Sequence, residues 1–269
     1  MTTTAKTDVT ATGAPNEIRM ILLGRTGTGK SAFGNTILGQ EIFDHDSNGD
    51  SVTKVCEPGT REFDGKRLFV VDTPGFLDTY MPEEQLHTEI SKSYQMTARP
   101  GPHVFFIVLD PMARYTPQEY AAFSCVTDIF GPKVVDYTII IFTNSDRLSQ
   151  NGKTIDEYLK KLKDGPEHPL NKLLDRFKRR YLAVNNRVTP QEKNSVVKTL
   201  IHMINELLGT HGGQVYTNDA FEKLAHAIET AVSEGTYKPF NADGSFALLP
   251  QTKAIVIDGY IKRMSNRRT

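Results

Sequence analysis

Thiols are scarce in this chain: only Cys56 and Cys125 occur among its 269 residues, and they are far apart. A disulfide framework or a thiolate zinc site needs more sulfur than that, which points to a reducing, cytoplasmic setting. Net charge is missing as well, since 32 Lys and Arg balance 32 Asp and Glu. Nucleic-acid binders and polybasic membrane binders both depend on excess positive charge. We therefore expect no nucleic-acid partner, and peripheral membrane contact has only weak support. No apolar run approaches the roughly 20 residues that cross a bilayer. The opening stretch Met1–Asn16 is rich in Thr and Ala, lacks an apolar signal core and reads as a disordered leader.

The length suits one domain of about 200 residues with an extension. Six apolar runs read as strands: Ile18–Leu23, a weak one near Val52–Val55, Arg67–Asp72, His103–Leu109, Tyr137–Phe142 and Tyr181–Val184. Phe69-Val70-Val71 and Ile139-Ile140-Ile141-Phe142 do not alternate with polar residues, as befits strands covered on both faces. Helical patterns fit Lys30–Leu38, Glu83–Thr97, Pro117–Phe130, Ile155–Lys163, Pro169–Arg180, Pro190–Leu208 and Asn218–Ser233. This alternation predicts a three-layer α/β fold around a mostly parallel sheet of six strands, with a C-terminal helical extension. Gly212-Gly213 marks a joint, dividing a domain at 17–211 from a C-terminal helix and tail at 212–269.

Chemistry is densest at Gly24-Arg25-Thr26-Gly27-Thr28-Gly29-Lys30-Ser31, followed by Ala32. This is the G-x-x-x-x-G-K-[ST] phosphate loop, placed between a strand and a helix as its mechanism demands. Its glycines let successive N–H groups point into one concavity, and the helix adds its positive end. Lys30 is expected to reach the β- and γ-phosphates, and the Ser31 hydroxyl to ligate Mg²⁺. Asp72-Thr73-Pro74-Gly75 follows an apolar strand, where a Walker B aspartate belongs. Asp72 then holds Mg²⁺ through its water shell, and the Gly75 N–H meets the γ-phosphate. Thr53 is the best candidate for a second hydroxyl on the metal; a strand-edge role is the alternative.

Several further stretches resemble the AIG1/GIMAP family of immunity-associated GTPases. They are Lys30 to Gly39, Ser51 to Cys56, Gly101-Pro102-His103, Arg114 to Glu119, Ile129-Phe130-Gly131, Arg180 to Asn186 and Tyr216-Thr217-Asn218. The resemblance spans roughly 17–234. It implies a septin-related G domain that binds GTP and GDP with Mg²⁺, forms a homodimer when loaded with GTP, and in some members works at membranes. Thr116 to Glu119 also fits a helix capping box.

The chain departs from that family at the base-reading motif. Aligned on Leu148, Asn144 and Ser145 replace Arg-Lys, and Arg147 stands where an Asp normally reads guanine. Arginine accepts no hydrogen bonds. Either Asp146 takes the role, or Asn185 and Asn186 supply the base contact from the last loop. Phe76 follows Gly75, where many small GTPases carry a Gln that orients water. An apolar side chain cannot do that, so slow hydrolysis stimulated by a second subunit or partner is expected. An assembly module with negligible turnover, or a P-loop NTPase with relaxed base choice that uses ATP or another nucleotide, are the rival readings. The tail at Thr236–Thr269 pairs apolar residues (Phe246 to Leu249, Ile255 to Ile257) with a basic end, and docking on protein is favoured over membrane contact.

Overall fold

The computed structural model describes residues 16–44, 55–76, 81–113, 115, 120, 123–150, 152–241 and 245–265. Its six strands are β1 (Glu17–Leu23), β2 (Glu57–Phe63), β3 (Lys66–Asp72), β4 (Val104–Leu109), β5 (Thr138–Phe142) and β6 (Tyr181–Ala183). They form one sheet in the order β2-β3-β1-β4-β5-β6. β2 runs antiparallel to β3; every other pairing is parallel, with Ile18 opposite Leu68 and Leu22 opposite Phe106.

The expected second strand lies elsewhere. Residues 52–54 are outside the described residues, and Val55 is exposed and outside any strand. The strand is instead Glu57–Phe63, whose Glu-Pro-Gly-Thr-Arg-Glu-Phe carries almost no apolar signal. An edge position explains this: Pro58 is tolerated where ladder bonds are made on one side only, and exposure favours polar residues.

The helices are α1 (Lys30–Leu38), α2 (Glu83–Thr97), α3 (Ser124–Phe130), α4 (Ser145–Gln150), α5 (Ile155–Lys160), α6 (Pro169–Arg176), α7 (Pro190–Gly209), α8 (Asp219–Ser233) and α9 (Thr252–Ser265). α1 and α7 cover one face, where Phe33, Ile37, Val197 and Ile204 meet Leu22, Phe106 and Ile141. On the other, Ile90, Tyr94, Phe130, Phe221 and Val256 meet Ile21, Phe105 and Ile140. Consecutive residues such as Phe105 and Phe106 therefore enter opposite cores, as a two-residue repeat requires. Burying each such Phe, Leu or Ile contributes about 1.5–3 kcal/mol.

Two helix boundaries differ from expectation. α5 stops at Lys160, and α6 stops at Arg176 because Lys178 and Arg179 adopt positive φ of 59° and 48°. The expected start at Pro117 lies outside the described residues, as do Arg114 and 116–119; Tyr120 is helical, and a turn at Phe123 precedes α3. Lys178 pairs with Asp136, and the half-buried Arg180 donates to the carbonyl oxygens of Val135 and Thr138.

Two helices, α4 and α9, were not legible in the apolar pattern. α9 docks on α2, α3 and α8. The Gln95 side chain fixes its approach: Oε1 accepts from Leu249 N (2.8 Å) and Thr252 Oγ1 (2.6 Å), and Nε2 donates to Ala247 O (2.9 Å). Arg263 Nε then donates to Asp128 O at 2.7 Å near the end of α3. Val256 is fully buried in this contact, so the tail packs on the chain's own domain. Among the described residues, no helix is long and apolar enough to cross a membrane.

Candidate functional site

In a parallel sheet, ligands bind beyond the carboxyl ends of the strands. The loops leaving β1, β3, β4, β5 and β6 converge there. The first is Gly24–Gly29. Gly24 has φ 154°, and a Cβ on it would lie 2.6 Å from Val108 O. Only glycine fits so close to β4. Gly29 is the N-cap of α1 with φ 85° and no capping side chain, so the first helical N–H groups face the loop's concavity. Thr28 Oγ1 donates to Arg25 O at 2.8 Å, closing the turn. Lys30 is 5% exposed, and its Nζ donates to Arg25 O at 2.8 Å, so the ammonium lies across the loop. Ala32 sits half-buried in α1, and its carbonyl lies 3.0 Å from Thr36 Oγ1.

Ser31 and Asp72, 41 residues apart, meet here: Ser31 Oγ donates to Asp72 Oδ2 at 2.6 Å. Asp72 is 1% exposed at the end of β3. The turn that follows is fastened by Thr73 Oγ1, which donates to Leu22 O at 2.6 Å. Gly75 is buried beside it, and Phe76 is turned into the core at 3% exposure. Thr53, the expected third contributor to the metal, lies outside the described residues.

The loop after β5 is stitched to the phosphate loop. Thr143 Oγ1 donates to Thr28 O at 2.7 Å and lies 3.1 Å from Leu109 O. Asn144 follows with φ 54° and donates from Nδ2 to Asp110 Oδ2 at 2.9 Å. Arg147 forms an ion pair with the same oxygen at 3.6 Å. Asp146 is half-buried in the first turn of α4. From the β6 loop, Asn185 Oδ1 accepts from Arg187 N (2.9 Å), and Asn186 Oδ1 accepts from Thr36 Oγ1 (3.0 Å). These two asparagines, named as base contacts, are thus held by their own turn and by α1.

Thr143, Asp110 and Thr73 were not singled out from the sequence. Each is a polar residue at or just past the carboxyl end of a buried strand, which is the signal that identifies them once the strands are known.

The chain matches the family model described as the AIG1 family over residues 18–235. It is 31% identical to Immune-associated nucleotide-binding protein 4 of Arabidopsis thaliana over 227 residues, covering 83% of this chain and 68% of that protein. The matched segment spans 46% of the length of one such relative and 90% of another. Among solved structures, Toc33 from Arabidopsis thaliana in complex with GDP and Mg²⁺ superposes with a TM-score of 0.50, at 18% identity, over 71% of this chain and 85% of that one. The chloroplast translocon components atToc33 and psToc159, for whose GTPase activity dimerisation is important, give 0.51 at 17% identity, over 70% and 83%. At such identities the likeness is one of fold: a six-stranded, mostly parallel G-domain sheet. From its matched residues and its relatives, the chain belongs to the AIG1 family.

Proposed function

We propose that this chain is a GTPase switch that binds GTP and GDP with Mg²⁺ and hydrolyses GTP slowly unless paired with a second copy. The observation that carries the reading is the Ser31–Asp72 hydrogen bond of 2.6 Å at the mouth of the phosphate loop. It joins a hydroxyl and a carboxylate from distant segments, and an oxygen-only donor set suits a hard divalent cation. Ser31 would hold Mg²⁺ directly and Asp72 through water. When bound, the cation neutralises charge on the β- and γ-phosphates.

The chain's own part is positioning. Backbone N–H groups from Gly24 to Ser31 cradle the phosphates. The buried Lys30 ammonium, already lying over the loop, gains phosphate oxygens as counter-charge. The Gly75 N–H would sense the γ-phosphate, and Thr53 would add a further hydroxyl to the metal. Phe76 is buried and apolar, so it holds no water for attack. This supports slow intrinsic turnover and a group supplied by a partner. The dimerisation importance named for atToc33 and psToc159 favours a second copy as that partner. Cys56 and Cys125 form no disulfide with each other, which agrees with a cytoplasmic setting. A division of the chain near Gly212-Gly213 is likewise proposed, since both glycines take positive φ.

The test is GTP turnover per molecule measured across a wide range of protein concentration, with binding followed by calorimetry. Turnover that rises with concentration supports the reading. Turnover that stays flat removes the dimer step, and an absence of heat with GTP and Mg²⁺ removes the nucleotide itself.

A further inference from the structure

The proposed function puts Mg²⁺ between Ser31 and Asp72, and the inference here rests on that reading. Asp72 ends β3, and its partner in the antiparallel ladder is Glu57, the first residue of β2. Where β2 begins therefore bears on where the Asp72 carboxylate stands.

Cys56, the residue before β2, is gripped twice by one residue of α2. Its backbone N–H donates to Glu89 Oε2 at 2.5 Å, and its thiol donates to the Glu89 carbonyl oxygen at 3.2 Å. Burial first, and the Glu89 carboxylate next, push the Cys56 thiol pKa up, so the sulfur keeps the proton it donates. Glu89 Oε1 accepts from Lys92 Nζ at 2.7 Å.

Glu89 is 3% exposed, and a carboxylate is costly to bury unless it is paired and hydrogen-bonded. Lys92 lies one turn along the same helix, and that pair could form equally well at the surface. Cys56 is 33 residues away in sequence, and its N–H is reached only by a carboxylate turned inward. The link closes a ring of contacts. From Asp72 the chain runs through the Gly75 turn to α2, Glu89 joins α2 to Cys56, and β2 returns to Asp72 through the ladder.

We propose that Glu89 is a positioning residue for the Mg²⁺ end of the site. It holds the start of β2 against the end of β3, and through that ladder it keeps the Asp72 carboxylate facing Ser31. Removing the hydrogen-bonded support of a metal ligand costs about 10–100-fold in metal affinity. Glu89 acts one contact further out, so the low end of that range applies.

The experiment is calorimetry of the full chain with a non-hydrolysable GTP analogue, once with Mg²⁺ and once with EDTA in its place. In wild type, Mg²⁺ raises the affinity. Glu89→Met keeps the side-chain volume and removes the acceptor. It should bind the analogue about tenfold more weakly than wild type with Mg²⁺, and alike with EDTA. Glu89→Gln retains an oxygen for Cys56 N and should recover most of that loss. Lys92→Met leaves the Cys56 bond in place and should keep the whole gain from Mg²⁺.

Equal losses with and without Mg²⁺ overturn the proposal, because a merely structural tie lowers both together. A Lys92→Met loss as large as that of Glu89→Met overturns it too, by assigning the effect to the ion pair. Should Glu89→Met not fold, Glu89→Asp, whose carboxylate is withdrawn by one methylene, carries the same prediction and fails in the same ways. If the wild-type chain binds no analogue, or binds it as tightly in EDTA, the GTP and Mg²⁺ reading falls and takes this proposal with it. A wild type that gains from Mg²⁺, beside a Glu89→Met that gains as much, strikes Glu89 alone.

Discussion

In the proposed nucleotide cleft the phosphate end is made of backbone and the base end of side chains, and the two ends differ in how they can change. Gly24 to Ser31 is one contiguous segment whose shape depends on positive-φ glycines and a close approach to Val108 O. One distant side chain, Asp72, joins it. A side chain at Gly24 disturbs the turn itself. The base end takes Asp110, Asn144, Arg147, Asn185 and Asn186 from three loops that hydrogen-bond to one another or to neighbouring elements. A single exchange there alters one contact without moving a strand. The phosphate loop accordingly fits its motif throughout, while the departure falls at Arg147.

The sharpest way to break this comparison is Lys30→Ala. It removes the ammonium lying over the loop, and charge-assisted hydrogen bonds are worth about 1.5–3 kcal/mol each. Nucleotide affinity should fall about a hundredfold or more; calorimetry showing unchanged affinity would take the phosphate end away from this loop. Next is Ser31→Asn, which removes the hydroxyl bonded to Asp72. Triphosphate affinity should fall about tenfold further than diphosphate affinity, because the γ-phosphate depends more on the metal. Equal losses would remove Ser31 from the cation.

Thr143→Val cuts the stitch between the two ends. The Thr28 carbonyl loses a buried donor, at a cost of about 1–3 kcal/mol in stability. Urea unfolding should report that loss alongside a few-fold drop in affinity; a variant as stable as wild type would mean that the ends are held together by other contacts.

His103→Asn, at the amino end of the central strand β4, should leave nucleotide affinity at neutral pH unchanged. His103 Nδ1 accepts from Arg19 N at 3.0 Å, and burial, with the nearby charges of Arg19 and Lys66, lowers its pKa from 6.5 to about 4. The folded imidazole stays neutral while the unfolded one takes a proton as pH falls below 6.5. Stability is therefore full above that value and is lost between about pH 6.5 and 4, by roughly 3 kcal/mol. Urea unfolding across that range should show the slope in wild type and its absence in the variant.

Legibility in the sequence followed the physics of each element. β1, β3, β4 and β5 were readable because burial on both faces gives continuous apolar runs, and β6, half-buried at the far edge of the sheet, by its short apolar run alone. β2 was not, because an edge strand is chosen by its neighbour's unpaired backbone rather than by its own side chains. α1, α7 and α8 announce themselves by the phosphate-loop glycines, by Thr189 with Glu192, and by Asn218. The short α4 carries no comparable periodicity.

By itself the sequence determined the layer order of an α/β sheet and the contiguous phosphate loop, since both depend on residues close together in the chain. It also marked the anomaly at Arg147. Only the tertiary structure decided that Ser31 meets Asp72, that Asp110 is filled by Met112, Asn144 and Arg147, and that Asn186 belongs to α1. Those pairs lie 34 to 150 residues apart, apart from the local Met112 contact. No local propensity encodes such meetings: they exist because strand order brings the ends of β1, β3, β4, β5 and β6 to one edge. The docking of α9 was settled in the same way. Its apolar residues suit protein or lipid equally, and Gln95 on α2 supplies the hydrogen bonds that choose protein.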